Sequence, residues 1–206
     1  VVGIQNAAPE AWHANYTAVQ VGGNGALWAE LAQGASKLFI SSQNVYYDGN
    51  YKYISTDEAS YYKQGAGAHT FAVAVSGTAD NIIAFKTALT IDNSANVGFG
   101  VTPEAWTNTL TAIQIGGDAS ISSETADGLT TGVNLANNAY NNSGWKYISG
   151  AGSNEATRYN QYNGQHIFYV AGAGTANSAI TWINALTINN SGNVTIGALT
   201  DNVTPI

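Results

Sequence analysis

The most constraining feature of this chain is that it repeats itself. Pro9-Glu10-Ala11-Trp12 returns as Pro103-Glu104-Ala105-Trp106, and Gly22-Gly23 returns as Gly116-Gly117, each 94 residues on. Tyr51-Lys52-Tyr53-Ile54-Ser55 returns at the same shift as Trp145-Lys146-Tyr147-Ile148-Ser149. Gly150-Ala151-Gly152 reads as a three-residue insertion, after which the shift is 97. Tyr62, Gln64, Gly67, His69 and Phe71 then match Tyr159, Gln161, Gly164, His166 and Phe168. Ala88-Leu89-Thr90-Ile91 matches Ala185-Leu186-Thr187-Ile188. Any fold must be built twice from one unit of roughly 95 residues, a normal domain length. The expected division is 1–97 and 98–193, with 194–206 opening a further junction. VVGIQ at the start, NVGFG (96–100) and NVTIG (193–197) read as one junction met three times. The chain is expected to be a segment of a longer, serially repeated polypeptide.

Strand signals dominate. Phe71, Val73 and Val75 alternate with small residues. Leu89 and Ile91 lead through the turn DNSAN to Val97 and Phe99; Leu186 and Ile188 lead through NNSGN to Val194 and Ile196. These are β-hairpins whose turns use residues that tolerate positive φ. Val19 and Val21, their counterparts Ile113 and Ile115, and the YKYIS and WKYIS segments add strands. Helix signals are few. Pro9 and Pro103 could each open one helical turn, and residues 26–34 (ALWAELAQG) suggest a short helix. The expected fold class is all-β, as two tandem β-rich repeats. Short strands expose edges that must be paired or covered, and winding around identical partners does this. The expected assembly is a homotrimeric fibre.

Charge narrows the partners. Six basic residues face thirteen acidic ones, for a net charge of −7. Nucleic acid and anionic membranes are recognised by clustered Lys and Arg, so neither is an expected partner. No apolar run approaches the ~20 residues that span a bilayer as a helix. There is no cysteine, hence no disulfide and no thiolate metal site. Charged residues make up 9% of the chain, against about 25% in ordinary soluble domains. Hydrophobic content is an ordinary 45%, so disorder is not the reason. A surface built from Asn, Thr, Ser, Gln and Gly suits an extracellular or virion structural protein.

The ordered set YKYIS, Tyr62, Gln64, His69, Phe71, SGTA (76–79) and ALTIDNSANVGFG (88–100) resembles repeats in tail fibres and receptor-binding appendages of tailed bacteriophages. The second copy carries WKYIS, Tyr159, Gln161, His166, Phe168, GTA (174–176) and ALTINNSGNVTIG (185–197). The resemblance covers essentially the whole chain. In that family such units often lie upstream of a C-terminal self-cleaving chaperone domain that trimerises the fibre and works through a Ser–Lys pair. Nothing in this chain corresponds to that pair. The resemblance implies a virion location, a homotrimer, neighbouring fibre or tail proteins as partners, and attachment to a host surface without catalysis. A bacterial surface adhesin or carbohydrate-binding module, and a polysaccharide depolymerase, are the alternatives.

Recurrence sorts the candidate residues. His69 and His166 recur, as do Trp12/Trp106, Tyr51/Trp145, Tyr53/Tyr147 and Phe85/Trp182, which points to packing. Lys52 and Lys146 recur between aromatics and suit snorkelling along the rings. Residues serving one contact need not recur. Trp28 aligns with Ser122, Tyr47 with Asn141, Tyr61 with Arg158 and Gly65 with Tyr162. Trp28, Tyr47, Tyr61, Arg158 and Tyr162 are therefore the candidate glycan or receptor contacts, since flat rings stack on sugars. A glycosidase needs two carboxyls about 5–10 Å apart. Asp57 with Glu58, and Glu124 with Asp127, are the pairs to check, and neither has a supporting histidine. Asp48, Asp80 and Asp92 lie in turns without the spaced oxygen ligands that Ca²⁺ needs. No catalytic residue, metal or cofactor is expected.

Overall fold

The computed structural model describes residues 2–4, 9–34, 37–126, 132–152 and 154–197. The chain is all-β, with no helix among the described residues. Contacts divide it into two compact units, Val1–Asn93 with Val97–Thr102, and Ser94–Asn96 with Pro103–Ile206.

Unit 1 holds β1 (Val2–Ile4), β2 (Tyr16–Val21), β3 (Gly25–Glu30), β4 (Phe39–Gln43), β5 (Val45–Tyr47), β6 (Tyr51–Tyr53), β7 (Asp57–Gly65), β8 (Ala68–Gly77), β9 (Lys86–Ile91) and β10 (Val97–Phe99). Its sheet runs β1-β2-β3-β4-β7-β8-β9-β10, and β5–β6 is a separate hairpin. β1 lies parallel to β2, and the other pairs are antiparallel. Unit 2 holds β11 (Leu110–Ile115), β12 (Ala119–Glu124), β13 (Val133–Asn137), β14 (Ala139–Asn141), β15 (Trp145–Tyr147), β16 (Ala156–Tyr162), β17 (Gln165–Ala171), β18 (Ile183–Ile188) and β19 (Val194–Ile196). Its sheet runs β11-β12-β13-β16-β17-β18-β19, with β14–β15 as the separate hairpin.

The suggested helix over 26–34 is a correction: Gly25–Glu30 is strand β3. Ala26 and Trp28 are buried while Leu27 between them is exposed, a period of two. Apolar residues on both faces of this strand imitate a helical cluster in the sequence. Pairing with β2 and β4 settles its conformation. The Pro-Glu-Ala-Trp phrases are not helical either. Buried Gln20 accepts a hydrogen bond from the Glu10 backbone N–H at 3.0 Å, and buried Gln114 does the same for Glu104 at 3.0 Å. These bonds tie one phrase to β2 and the other to the matching strand β11.

A second recurring tie is an asparagine at positive φ. Asn44 (φ 59°) and Asn138 (φ 52°) are buried between strand and hairpin. Asn44 Oδ1 accepts from the Ser55 N–H at 2.7 Å, while its Nδ2 donates to the carbonyls of Ser55 and Glu58. Asn138 repeats this with Ser149, Asn154 and Glu155. Asparagine satisfies buried backbone groups here and tolerates the left-handed conformation.

The core lies on one face of each sheet. In unit 1, Val45 and Tyr53 from the hairpin pack with Ala59, Ala74 and Ile83, and Ala18, Ala26, Trp28 and Ile40 form a second cluster. In unit 2 the equivalents are Ala136, Ala139, Tyr147, Ala156 and Ala171, then Trp106, Leu110, Ala112 and Tyr140. Alanine dominates because a hairpin and large rings must approach the sheet closely. The larger aliphatic residues of the same strands, including Val21, Leu27, Val73, Ile115, Ile121 and Leu135, point the other way and are exposed.

Candidate functional site

The tryptophans and most of the tyrosines gather on the core face of each sheet. In unit 1, Trp28 is 2% exposed and sits under a layer of half-buried rings. Trp12 lies 5.2 Å from Trp28 between centroids, Tyr16 5.3 Å, Tyr51 5.9 Å and Tyr47 6.0 Å, the last nearly parallel at 16°. Tyr51 continues the layer to Tyr61 at 5.7 Å, which meets Phe85 edge-on at 4.5 Å. Such tilted and offset pairs each add about 0.5–1.5 kcal/mol beyond burial. The Trp28 indole donates to Ser42 Oγ at 3.1 Å. Desolvation raises the phenol pKa of Tyr51 and of Tyr61, as expected for rings facing rings.

Unit 2 builds this place differently. Arg158 stands where Tyr61 stands, and its guanidinium carbon lies 4.2 Å from the Tyr169 centroid, 4.5 Å from Trp145 and 5.2 Å from Trp182. Desolvation in this box lowers the arginine pKa, and Nε has no hydrogen-bond partner among the described residues. Three rings stand in for a carboxylate, through the negative faces of their π systems.

Four of the five sequence candidates are thereby placed in packing. Trp28 is buried in the core cluster with Ala18, Ala26 and Ile40. Tyr47, Tyr61 and Arg158 keep part of their surface in the two aromatic layers. The fifth, Tyr162, ends β16 next to Gly132, whose Cβ would fall 2.9 Å from the Tyr162 Cβ. The matching positions of unit 1 reverse the sizes, with Leu38 against Gly65 and a Cβ on Gly65 only 2.6 Å from Leu38 Cδ2. The unshared residues trade volume across strand pairs. The exchange runs across strands, between positions far apart in the chain, and so leaves no signal in the alignment of one copy on the other.

The recurring histidines have a tyrosine partner. Tyr62 and His69 share a hydrogen bond of 2.5 Å with their ring planes 12° apart, and Phe71 stacks on Tyr62 at 4.7 Å. Tyr159, His166 and Phe168 repeat the stack. Lys52 pairs with Asp48 at 2.7 Å. Asp57 and Glu58 open β7 on the surface, and hydrogen bonding from Glu58, including its backbone N–H to Asp57 Oδ1, holds the Asp57 carboxyl below the usual range. An acid so held is ionised at neutral pH and is a poor proton donor. Glu124 ends β12 opposite Leu110, and Asp127 lies outside the described residues. Among the described residues no three His, Asp or Glu side chains converge as a metal site. No protein-family model, curated protein or solved structure matches the chain.

Proposed function

We propose that this chain is a non-enzymatic segment of a homotrimeric tail fibre or appendage of a phage virion, made of tandem repeats and serving host-surface attachment. The observation that carries the reading is the recurrence of one set of ties in both units. The Gln20/Gln114 clamp, the Asn44/Asn138 bridge, the Tyr46–Asp80 and Tyr140–Asn177 bonds and the Tyr–His–Phe stacks all recur. A unit that carries its own ties can be added in series and lengthen a shaft without redesign. The half-buried rings of unit 1 and the Arg158 box add weak contacts to host glycan, multiplied by the number of copies.

One observation favours a second reading. The ring layer of unit 1 offers stacking faces at a density that suits a carbohydrate-binding module or surface adhesin. Light scattering separates the two. A fibre segment should run at about three times 21.4 kDa. A monomer at 21.4 kDa that binds a glycan array would replace the fibre reading with the adhesin. Release of oligosaccharide from host polysaccharide would overturn both in favour of a depolymerase.

A further inference from the structure

In both units the face opposite the core is covered with large apolar side chains, in rows that follow the strand register. One row of unit 2 runs Ile113, Ile121, Leu135, Tyr159, Phe168, Leu186 and Ile196, one residue per strand. Unit 1 places Val19, Leu27, Tyr62, Phe71, Leu89 and Phe99 at the matching positions, with Ser41 in the place of Leu135. Leu135 is 54% exposed and Ile196 70%. The clusters that form the core lie on the other face. An antiparallel sheet with one wet face normally turns its polar residues outward. Here Gln20, Gln114, Ser120 and Asn134 are buried on the inside and the aliphatic residues stand outside.

We infer that this outer face is an interface between copies of this chain, each sheet turned inward toward the same face of the other two copies around the threefold axis. The inference rests on the proposal that the chain assembles with itself, and it names the surface. Charge, size and shape select a second copy as the occupant. The first is charge: on the outward side of these strands only Lys86, opposite Val73, and Glu58, near the start of β7, carry a formal charge. A charged partner would find just one side chain of each sign to pair with, and an anionic membrane would be repelled by the chain's −7.

The second argument is size. About 20 outward positions per unit match the roughly 20–30 residues a side of a specific interface, and exposed patches of this extent are rare on monomers. The third is shape. A hollow of about 350 Å³ opens over Ser41, Ser60, Tyr62, Phe71 and Val73, and one of about 490 Å³ opens over Leu135, Thr157, Tyr159, Phe168 and Val170. These are the same positions of the two units, so each unit offers both ridges of aliphatic residues and a hollow to receive them.

The test places a charge on the face. Leu27→Lys with Ile121→Lys should reduce the solution mass to 21.4 kDa and leave the far-ultraviolet circular dichroism unchanged, because both positions are already open to solvent. The chain lacks cysteine, so Leu135→Cys gives one thiol. A short bismaleimide should link copies through it, and should not link Asn50→Cys on the hairpin of the opposite face. If the wild-type chain is oligomeric while the lysine variant keeps its mass and Leu135→Cys stays unlinked, the copies meet elsewhere. That outcome overturns the interface and leaves the fibre reading standing. A wild-type chain that is monomeric at every concentration overturns both.

Discussion

The ring of Tyr53 occupies the space that a side chain on Gly77 would need. Its hydroxyl donates to the Val75 carbonyl at 2.7 Å, and a Cβ on Gly77 would fall 2.2 Å from ring carbon Cε2. Tyr147 and Gly174 repeat the relationship, with the Tyr147 hydroxyl on the Gly172 carbonyl and a Cβ 2.1 Å from the ring. The glycine in SGTA and GTA is thus required by contact; its φ is not in the left-handed region. Gly77→Ala must push the ring out and break its hydrogen bond. Overpacking costs about 1–3 kcal/mol and the lost bond about 1 more. Urea unfolding should show this loss for Gly77→Ala and almost none for Ser76→Ala on the exposed neighbour. Equal, small effects at both positions would refute the contact.

The two copies disagree at one tight turn. Ala66 and Gly67 join β7 to β8 with φ of 53° and 74°, and Asn163 and Gly164 join β16 to β17 with 52° and 72°. Both are two-residue hairpin loops with positive φ at each position, for which Asn-Gly is the favoured pair. Alanine in that conformation costs roughly 1 kcal/mol. Ala66→Asn should therefore stabilise the chain by about 0.5–1 kcal/mol, and Asn163→Ala should destabilise it by a similar amount. Thermal melting of the two variants checks the pair, and shifts of the same sign would contradict the turn assignment.

Much of the fold was readable because the strands are local. The alternation at Phe71, Val73 and Val75 and the hairpins over 88–99 and 185–196 are strands where the pattern put them. What the pattern could not tell was which face is inside. Val19 and Val21 advertise an apolar side, yet Ala18 and Gln20 are the buried ones, Ala18 because large rings pack over it and Gln20 because its amide oxygen takes the Glu10 N–H. Trp28, unshared and aromatic, reads as a surface contact in the sequence and is buried in the structure. Its burial depends on rings from Trp12, Tyr16, Tyr47 and Tyr51, up to 23 residues away along the chain, which no local window joins. The Arg158 box was invisible for a related reason, since its three rings come from β15, β17 and the segment before β18.

Alkali should unfold the chain before most surface groups matter. Desolvation raises the pKa of Tyr46, Tyr51, Tyr61 and Tyr140, and the hydrogen bond from Tyr46 to Asp80 raises it further in Tyr46. The folded state then holds protons that the unfolded state releases near pH ~10, so stability is intact below that pH and falls as pH rises above it. Melting temperature should decline steeply above about pH 10, with tyrosinate absorbance appearing in step with unfolding. Asp80→Asn, which copies Asn177 of the Tyr140 bond, should soften the decline. Tyrosines that all ionise in the folded state would remove the basis of this expectation.

The Arg158 box offers a test of volume exchange between strands. In register, Tyr61 faces Ala72 in unit 1, and Arg158 faces Tyr169 in unit 2. Arg158→Tyr alone puts two rings where one fits and should cost about 1–3 kcal/mol. Tyr169→Ala alone removes a face from the guanidinium and opens a void, at a cost of about 2–4 kcal/mol. The double variant recreates the Tyr61–Ala72 arrangement and should be more stable than the sum of the single losses by about 0.5–3 kcal/mol. Arg158→Lys should not substitute, because an ammonium group lacks the flat face that stacks between Trp145, Tyr169 and Trp182. Additive losses in the double-mutant cycle would mean that the two positions do not exchange volume. Arg158 would then stand apart from the packing, which would return it to the leading place among the glycan contacts. Glycan-array binding of the double variant decides that role directly: retained binding assigns Arg158 to the core, and lost binding assigns it to the receptor.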